Sequence, residues 1–303
     1  MQRDLPALLL VAHGTRDPRG GHEMAELLGH LQARHPAPVA HGWLEDFAQP
    51  GVAAAVDRLV ASGAARIVSV PLLNLGAGHA KTGVPNLLAA ARRAHPLVAI
   101  AHGRVLGLHP RLFELASRRI DAVSDPAGRV SEALVVTASG SSDPDANADL
   151  AKAARFLAEW TGHRWVDYAF AGVTWPPVGT VLRRLAAAGA RRVALFSWSL
   201  LAGLLQQRAS ATARHVAAEV GLELVDAGRF GPDPLVAEVV LDRCREVVGG
   251  DPRMNCDLCA YRVPLPGRER WVGAPSGGGT GERVRDGPAG GHFPASHHRH
   301  RPQ

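Results

Sequence analysis

The sequence contains little lysine and few aromatic residues, although its formal net charge is +6. Only two of its 34 basic residues are lysines, Lys81 and Lys152, and the arginines are spread along alanine-rich segments that are typical of solvated helix faces. Aromatic residues make up only 5% of the chain, so the interleaving of basic and aromatic side chains that stacks nucleic-acid bases is missing. We therefore expect no nucleic-acid partner.

Long hydrophobic runs are missing as well, and cysteine is scarce. No stretch reaches the ~20 consecutive apolar residues that a membrane span needs, so we expect no membrane partner. The apolar run at 7–12 leads into His13, Arg16 and Asp17 rather than into the small residues of a signal-peptide cleavage site. Three cysteines, two of them in one Cys-x-x-Cys motif, do not predict a disulfide framework. Together these absences predict a cytoplasmic protein.

The first half of the chain alternates short β-rich segments with longer helical patterns. Predicted strands cover 7–12, 39–44, 66–72 and 97–101, and predicted helices cover 20–35, 52–62 and 84–95. Nearly continuous apolar strands separated by helices are typical of a parallel sheet with both faces covered. The length of 303 residues, 46% of them hydrophobic, fits one large or two ordinary domains of this doubly wound α/β class.

The whole pattern occurs twice. ALLLVAHGTRDP at 7–18 returns as ALVVTASGSSDP at 133–144, and SGAARIVSVPLL at 62–73 returns as AGARRVALFSWS at 188–199, so both pairs are offset by 126 residues. We therefore predict two tandem α/β domains, followed by a third segment. The predicted limits are 1–125, 126–248 and 249–303. Within the last segment, Gly, Pro, Ser and charged residues dominate from position 273 onward, which predicts a disordered, His-rich tail.

Two histidines distinguish the first copy from the second. His13 follows the first predicted strand and His79 follows the third, whereas the second copy has Ser139 and Leu205 at these positions. A lone histidine at a strand end is most often structural, but a pair confined to one copy indicates a site that is used once. Ligands bind beyond the carboxyl ends of parallel strands, and the two strands are expected neighbours. Two imidazoles placed there can share one divalent ion of cobalt, nickel, iron or zinc.

Two acidic residues follow the second predicted strand. The segment WLEDF places Glu45 and Asp46 where the second copy has Ala171 and Gly172. A carboxylate beside a metal site can carry protons away from a reacting ligand. The sequence does not choose between that role, for either residue, and an ordinary acidic pair in a loop.

Several of these motifs, in this order, resemble a known family. AHGTRDP, GAGHAKTGVP and the tandem repeat are similar to the sirohydrochlorin chelatases of the CbiX type in their long two-domain form, and MNCDLC followed by a His-rich tail matches the same form. The resemblance covers roughly 5–265. It implies two chelatase-like domains facing each other across a cleft, and ATP-independent insertion of Co²⁺ or Fe²⁺ into sirohydrochlorin, in cobalamin or siroheme biosynthesis. By this resemblance His13 and His79 bind the substrate metal, and the chemistry requires no cofactor.

The implied reaction sets requirements that the sequence can be searched for. The metal must lose its water, lie over the macrocycle and displace two pyrrole protons. A neutral histidine can bind the metal and can also accept a proton near pH 7, which makes His13 a catalytic candidate with Glu45 and Asp46. The substrate carries carboxylates, so cations and a turn before a helix are expected to bind it. The candidates are Arg16, Lys81, Arg104, Arg208, Ser139 and Ser141, of which Lys81 and the Ser139 turn are favoured.

The C-terminal motif leaves more alternatives open. Cys256 and Cys259 supply two thiolates, whereas closed zinc or iron–sulfur sites usually take four ligands. The resemblance implies a possible iron–sulfur centre here, and a redox-active thiol pair or a metal-capture site is the alternative. The sequence also leaves open the oligomeric state, the choice among cobalt, iron and nickel, and a different function class, a non-catalytic cobalt or nickel carrier that uses the same histidines.

Overall fold

A computed structural model describes residues 5–45 and 47–252, which form two four-stranded parallel sheets covered by helices. The elements of the first copy are β1 (Ala7–Ala12), α1 (Pro18–Gln32), β2 (Val39–Trp43), α2 (Val52–Ala61), β3 (Arg66–Pro71), a π-helical turn (His79–Gly83), α3 (Val84–Ala94), β4 (Ala99–His102) and α4 (Pro110–Asp121). Those of the second copy are a 3₁₀ turn (Pro126–Gly128), β5 (Ala133–Ala138), α5 (Pro144–Thr161), β6 (Trp165–Phe170), α6 (Val178–Ala187), β7 (Arg192–Ser197), α7 (Leu204–Val220), β8 (Glu223–Arg229) and α8 (Pro234–Val248).

The two sheets have the same topology, which confirms the predicted repeat and the predicted parallel α/β class. Their strand orders are β2-β1-β3-β4 and β6-β5-β7-β8, and every neighbouring pair is parallel. The first and third strands of each copy are therefore neighbours, as expected. In this order the chain reverses direction across the sheet at β1 and β3, and the carboxyl ends beside such a switch point are where open α/β sheets bind ligands.

The central strands are buried on both faces because they lie between two layers of helices. All six residues of β1 are buried, and their side chains alternate between the two faces of the sheet. Leu9 and Val11 pack with helices α2 and α3. Leu8 and Leu10 lie in a larger core that also contains Leu134 of β5. One hydrophobic core therefore joins the two copies.

The last helix of each copy packs against the other copy. Helix α4 lies against β7, β8 and α5, and α8 lies against β3 and α1. The two final helices are thus exchanged between the copies, and ion pairs join them. The Arg111 guanidinium of α4 lies 2.8 Å from Glu238 and 2.6 Å from Asp242 on α8. The limits 1–125 and 126–248 thus stay a prediction about the sequence repeat, because the packing assigns each final helix to the sheet of the other copy.

The carboxyl edges of the two sheets face each other, which is the arrangement expected of the fold class. The Thr15 hydroxyl, beyond β1, donates to the carbonyl of Ala202, beyond β7, over 3.1 Å. The Asn74 amide, beyond β3, donates to the carbonyl of Trp198 over 2.7 Å. Loops that follow the strands of one sheet therefore meet those of the other.

Element bounds in the first copy differ from the sequence expectations by more than one residue only at α1 and β4, and the start of each has a local reason. Helix α1 begins at Pro18, because the Asp17 side chain accepts a hydrogen bond from the Arg19 amide and caps the helix before the predicted start. Strand β4 begins at Ala99, because Leu97 is 95% exposed and lies in the turn ahead of the sheet. No helix within 5–45 or 47–252 is long and apolar enough to cross a membrane.

Candidate metal centre

Three polar side chains meet where three adjacent strands end. His13 directly follows β1, Glu45 follows β2, and His79 begins the π-helical turn after β3. The parallel pairing of β1 and β2 continues one step beyond the strands, since the Glu45 amide donates to the His13 carbonyl over 3.1 Å. This additional hydrogen bond holds Glu45 beside His13.

A glycine allows the close approach of these loops. Gly14 has a φ of +105°, a conformation that L side chains rarely adopt, and a Cβ at this position would lie 3.2 Å from the Glu45 Cβ. Any other residue at position 14 would therefore have a strained backbone, and its side chain would crowd the side chain of Glu45. The glycine of the AHGT motif is thus needed to bring β1 and β2 together at the site.

The geometry of the three side chains suits one divalent ion. Glu45 Oε1 lies 3.6 Å from His13 Nε2 and 3.8 Å from His79 Nε2, and the two imidazole rings lie at right angles with centroids 4.6 Å apart. One ligand atom from each residue can be chosen so that all three lie within 4.8 Å of one another. An ion about 2.0–2.2 Å from each ligand, the range for nitrogen and oxygen donors, needs separations of this order.

The site is partly open, and its electrostatics keep one ligand neutral. About half of the His13 and His79 side chains is exposed, 52% and 47%, which leaves coordination positions for a substrate. Burial of the remainder lowers the pKa of His79, the nearby His13 lowers it further, and the Glu45 carboxylate opposes both effects. Since a histidine ligand must be deprotonated, the lowered pKa of His79 favours metal binding at neutral pH.

The second copy lacks these donors. Ser139, Ala171 and Leu205 stand at the positions of His13, Glu45 and His79. Among residues 5–45 and 47–252 no other group of three His, Cys, Asp or Glu side chains has metal-binding geometry. A three-ligand site in the first copy thus faces an edge of the second sheet that offers different chemistry.

Comparison with known proteins agrees with this asymmetric repeat. The CbiX family matches the chain twice, at residues 7–123 and 133–247. The chain belongs to the CbiX family. It is 31% identical to the sirohydrochlorin cobaltochelatase of Priestia megaterium, over 86% of this chain and 86% of that protein. It is also 25% identical to the sirohydrochlorin ferrochelatase of Bacillus subtilis (strain 168), over 79% of this chain and 91% of that one.

Solved structures share the two-domain architecture of this CbiX-family chain. SirB from Bacillus subtilis with Fe³⁺ has a TM-score of 0.71 and 26% identity, and the match covers 82% of this chain and 98% of that one. A cobalt complex of the sirohydrochlorin chelatase SirB from Bacillus subtilis subspecies spizizenii has a TM-score of 0.67 and 23% identity, covering 80% and 95% of the two chains. At this level of identity, the match to the cobalt complex shows a shared fold.

The prediction that Lys81 binds substrate carboxylates is wrong. Its side chain is fully buried, and its ammonium lies 2.8 Å from Asp143 and 2.7 Å from Asp145 of the second copy. A signal for this was present in the sequence. The second copy begins α5 with Asp143 and Asp145, whereas the first copy pairs Asp17 with Arg19, so an acidic excess at α5 called for a cation from elsewhere.

Arg104 also departs from its predicted role. Its guanidinium donates to both oxygens of Glu246 on α8, over 2.9 and 2.7 Å. This bidentate ion pair belongs to the interface formed by the helix exchange. The cation is therefore committed within the protein rather than offered to a ligand.

The other predicted substrate-binding residues remain accessible to different degrees. Arg16 is exposed, and its guanidinium lies 4.6 Å from the ring centre of Phe47 in the loop that follows Glu45. Ser139 is exposed directly after β5, and Arg208 is exposed near the start of α7. The Ser141 hydroxyl accepts a hydrogen bond from the Asp143 amide over 3.0 Å and holds the turn before α5. Asp46, Cys256 and Cys259 lie outside the described residues, so the predictions about them stay predictions.

Sequence reasoning missed a set of exposed apolar side chains at the carboxyl edge of the second sheet. Val173 and Trp175 are each 70% exposed, and Leu204 and Leu205 are 44% and 39% exposed. The signal was the presence of apolar residues after β6 and at the start of α7, where the first copy has Phe47, Gln49, Gly78 and His79. At one of these positions the second copy presents the apolar side chain of Leu205 where the first copy presents the metal ligand His79.

Proposed function

We propose that this protein is a metal chelatase that inserts Co²⁺ or Fe²⁺ into sirohydrochlorin. The observation that carries the proposal is the donor set of His13, Glu45 and His79. Its histidines are about half-exposed, and it faces an edge of the second copy that lacks the three equivalent donor side chains. The names of the Priestia megaterium and Bacillus subtilis relatives, a cobaltochelatase and a ferrochelatase, supply the substrate class. The reaction would belong to cobalamin biosynthesis with cobalt or to siroheme biosynthesis with iron.

The donor set fits each step that metal insertion requires. The two imidazoles replace water on the incoming ion, and the open coordination positions let pyrrole nitrogens displace the rest. Insertion exchanges two pyrrole N–H protons for one divalent ion, so two protons must leave the macrocycle. Glu45, within 3.8 Å of both imidazoles, is placed to accept a proton as the metal moves from histidine to pyrrole nitrogen. Because its side chain is 31% exposed, it can pass that proton to water and then accept the second proton in the same way.

The second copy provides the surface that we assign to the macrocycle. Its exposed apolar side chains, with Trp175 the largest of them, suit the flat apolar face of a tetrapyrrole. Arg16 and Arg208 remain as cations for peripheral carboxylates, together with the exposed hydroxyl of Ser139. Metal ligands on one side and apolar surface on the other hold the ion and the ring face to face.

The donor chemistry does not restrict the metal to one element. Imidazole and carboxylate ligands bind Co²⁺, Fe²⁺ and Ni²⁺, and the affinity of one site for these ions follows the general order of first-row metals. Both cobalt and iron enzymes occur among the relatives. Competition between the two ions at equal free concentration therefore measures which metal the site prefers.

An absorption assay tests the function directly. Metal-free sirohydrochlorin is mixed with Co²⁺, with and without protein, and the decay of the metal-free spectrum is followed. We expect the protein to accelerate the decay well above the rate without enzyme, and the His13→Ala variant to return it to that rate. Stoichiometric Co²⁺ binding without acceleration would instead identify a metal carrier and would overturn the proposal.

A further inference from the structure

We propose that Lys81 is a positioning residue: its buried ion pair with the second copy fixes the turn that carries His79 and so sets the geometry of the metal site. The inference rests on the proposed function, because it assigns Lys81 a task at the metal centre proposed above. Lys81 touches neither metal nor tetrapyrrole. It acts through His79.

The two side chains belong to one short turn but point to different surroundings. His79 and Lys81 both lie in the π-helical turn His79–Gly83, where the Lys81 amide donates to the Ala77 carbonyl over 3.0 Å. The His79 imidazole is half-exposed at the metal site, whereas the Lys81 side chain is fully buried. With one residue between them, the buried ammonium anchors the same short stretch of backbone that carries the imidazole.

The anchor on the other side is rigid. Asp143 caps α5 by accepting the Asp145 amide with one carboxylate oxygen, over 3.2 Å, and binds the Lys81 ammonium with the other. Asp145, in the first turn of α5, lies 2.7 Å from the same ammonium. The Asp143 carboxylate is held by a helix amide, and the helix dipole favours both negative charges at this end of α5, so the anchor stays with the helix. The carboxylates therefore determine the position of the lysine and of the turn that carries it.

Asn74 anchors the same loop upstream of His79. Its amide donates to the Trp198 carbonyl of the second copy over 2.7 Å. The segment between β3 and α3 is therefore attached to the second copy on both sides of His79. Its conformation depends on the domain interface as much as on its own sheet.

The repeat supplies an internal control, because the equivalent contact exists without a metal ligand beside it. Gln207 stands at the position of Lys81, and its amide donates to Asp17, the residue that corresponds to Asp143. Arg19 stands at the position of Asp145 and lies 2.9 Å from the same carboxylate. In this contact the positive charge belongs to the helix residue Arg19, whereas in the other contact it belongs to the bridging residue Lys81. The residue that corresponds to His79 is Leu205, so this second contact joins the copies but positions no ligand.

Burying an ammonium is costly unless it is paired, so its retention needs a reason. A neutral glutamine joins the copies at the equivalent contact, and joining alone therefore does not require a lysine. An ammonium between two fixed carboxylates restricts the turn more than a single neutral hydrogen bond does. The stronger contact lies beside the copy with the metal ligand.

The experiment compares three variants with the wild type by titration of Co²⁺ in the absence of tetrapyrrole. Lys81→Gln removes the charge. Lys81→Gln combined with Asp145→Arg rebuilds the arrangement of Gln207, Asp17 and Arg19. Gln207→Ala breaks only the equivalent contact and is the matched control. The readouts are the Co²⁺ dissociation constant, the visible spectrum of bound Co²⁺, which reports ligand geometry, and the thermal midpoint.

We expect Lys81→Gln to weaken Co²⁺ binding by about 10- to 100-fold, the loss typical of removing a group that orients a metal ligand, and to alter the Co²⁺ spectrum. The double variant should restore the thermal midpoint but not the Co²⁺ affinity, because a neutral glutamine restricts the turn less than the ammonium does, and Gln207→Ala should change neither the affinity nor the spectrum. If Lys81→Gln does not fold, the double variant decides: when folded, it must bind Co²⁺ more weakly than the wild type does. Unchanged binding in Lys81→Gln, an equal loss in Gln207→Ala, or wild-type binding in a folded double variant would each overturn the inference.

The outcome can be separated from failure of the proposed function. A wild type that binds Co²⁺ but does not metallate sirohydrochlorin refutes the function and leaves the positioning role to be judged by the titrations. A wild type that metallates sirohydrochlorin, together with unaffected Co²⁺ binding in Lys81→Gln, refutes the positioning role alone.

Discussion

The two copies of the repeat share a backbone but not a chemistry. Both have the same strand order, and both open their first helix with an aspartate cap followed by proline, Asp17–Pro18 and Asp143–Pro144. At the carboxyl ends of their strands, however, the first copy carries His13, Glu45 and His79 where the second carries Ser139, Ala171 and Leu205. Buried strand residues thus maintain the fold in both copies, and a few loop residues decide what each copy does.

The interface between the copies shows the same division. Each copy reaches across to the N-terminal cap of the other, Lys81 to Asp143 and Gln207 to Asp17. The geometry is repeated, and the charge is not. A duplicated fold can therefore keep the contact that joins its two copies while the charges in each contact differ. The charged bridge lies beside the metal site, and the neutral bridge lies beside the copy without metal ligands.

The largest effect should come from removing either histidine. We expect His13→Ala and His79→Ala each to nearly abolish chelation at limiting Co²⁺, exceeding the ~10–100-fold loss that follows removal of a group that merely orients a ligand. The thermal midpoint should hardly change, since both side chains are about half-exposed. Initial rates of sirohydrochlorin metallation measure the effect.

The second copy supplies the controls for these variants. Ser139→Ala and Leu205→Ala remove side chains at the equivalent positions and should leave Co²⁺ binding unchanged. Wild-type rates in either histidine variant at limiting Co²⁺ would refute the two-histidine site.

The next effect concerns the carboxylate. Glu45→Gln keeps an oxygen donor but removes the negative charge and the ability to accept a proton. We expect the turnover rate to fall by about 100-fold, at the lower end of what a general base contributes. Co²⁺ affinity should fall less than in the histidine variants. Glu26→Gln, at an exposed carboxylate of α1, is the control, and full turnover in Glu45→Gln at saturating metal would exclude a proton-accepting role.

How far the sequence predicts the structure depends on the range of the interactions involved. The meeting of His13 with His79 was predictable, because alternation in the sequence and the topology of parallel sheets place β1 beside β3. The burial of Lys81 was not predicted, because its partners Asp143 and Asp145 lie 62 and 64 residues away in the other copy. A cation in a loop is usually solvated, and the acidic pair at α5 does not identify its partner until the two copies are assembled.

The exchanged helices show the same limit. The apolar faces of α4 and α8 indicate that each helix packs on a sheet, and both do. An amphipathic pattern does not specify which of two similar sheets receives the helix, since their surfaces carry the same kind of side chain. Pairs such as Arg111 with Asp242 favour the exchanged arrangement, and they are visible only in three dimensions.

A smaller effect is expected from an attempt to make the copies alike. In the double variant Ser139→His with Leu205→His, the second copy gains two imidazoles but keeps Ala171 in place of Glu45. We expect one Co²⁺ per chain in equilibrium dialysis, as for the wild type, because two half-exposed imidazoles without the carboxylate form an incomplete site. Chelation should slow, since the new side chains crowd the apolar surface assigned to the macrocycle.

Adding Ala171→Glu sharpens the same comparison. The triple variant supplies the missing carboxylate and is the one in which a second bound Co²⁺ is expected. A second ion already present in the double variant, or doubled turnover per chain, would show that the copies are not divided into a metal side and a macrocycle side.

The smallest effect lies at a buried difference between the copies. His102 ends β4, opposite Ser69 of β3, and in the repeated motif, HGR at 102–104 and AGR at 227–229, the second copy has Ala227 in its place. Its Nδ1 has no hydrogen-bond partner among the described residues, and burial, with a smaller contribution from Arg92, lowers the pKa of His102 to about 4. A histidine in the unfolded chain titrates near pH 6.5. Below that pH the unfolded chain binds a proton that the folded protein refuses, so the free energy of unfolding falls until the pH reaches about 4.

His102→Ala removes this dependence. Near pH 7.5 the variant should be less stable than the wild type, because a buried ring is lost. On moving to about pH 5 the wild type should lose about 2 kcal/mol more than the variant, the difference that a fall in pKa from 6.5 to about 4 implies at that pH. Urea unfolding at the two pH values measures it, with His22→Ala, at an exposed position of α1, as the control for losing one imidazole. An equal loss of stability in wild type and His102→Ala would mean that the buried ring takes up its proton in the folded state, and that this difference between the copies has no electrostatic consequence.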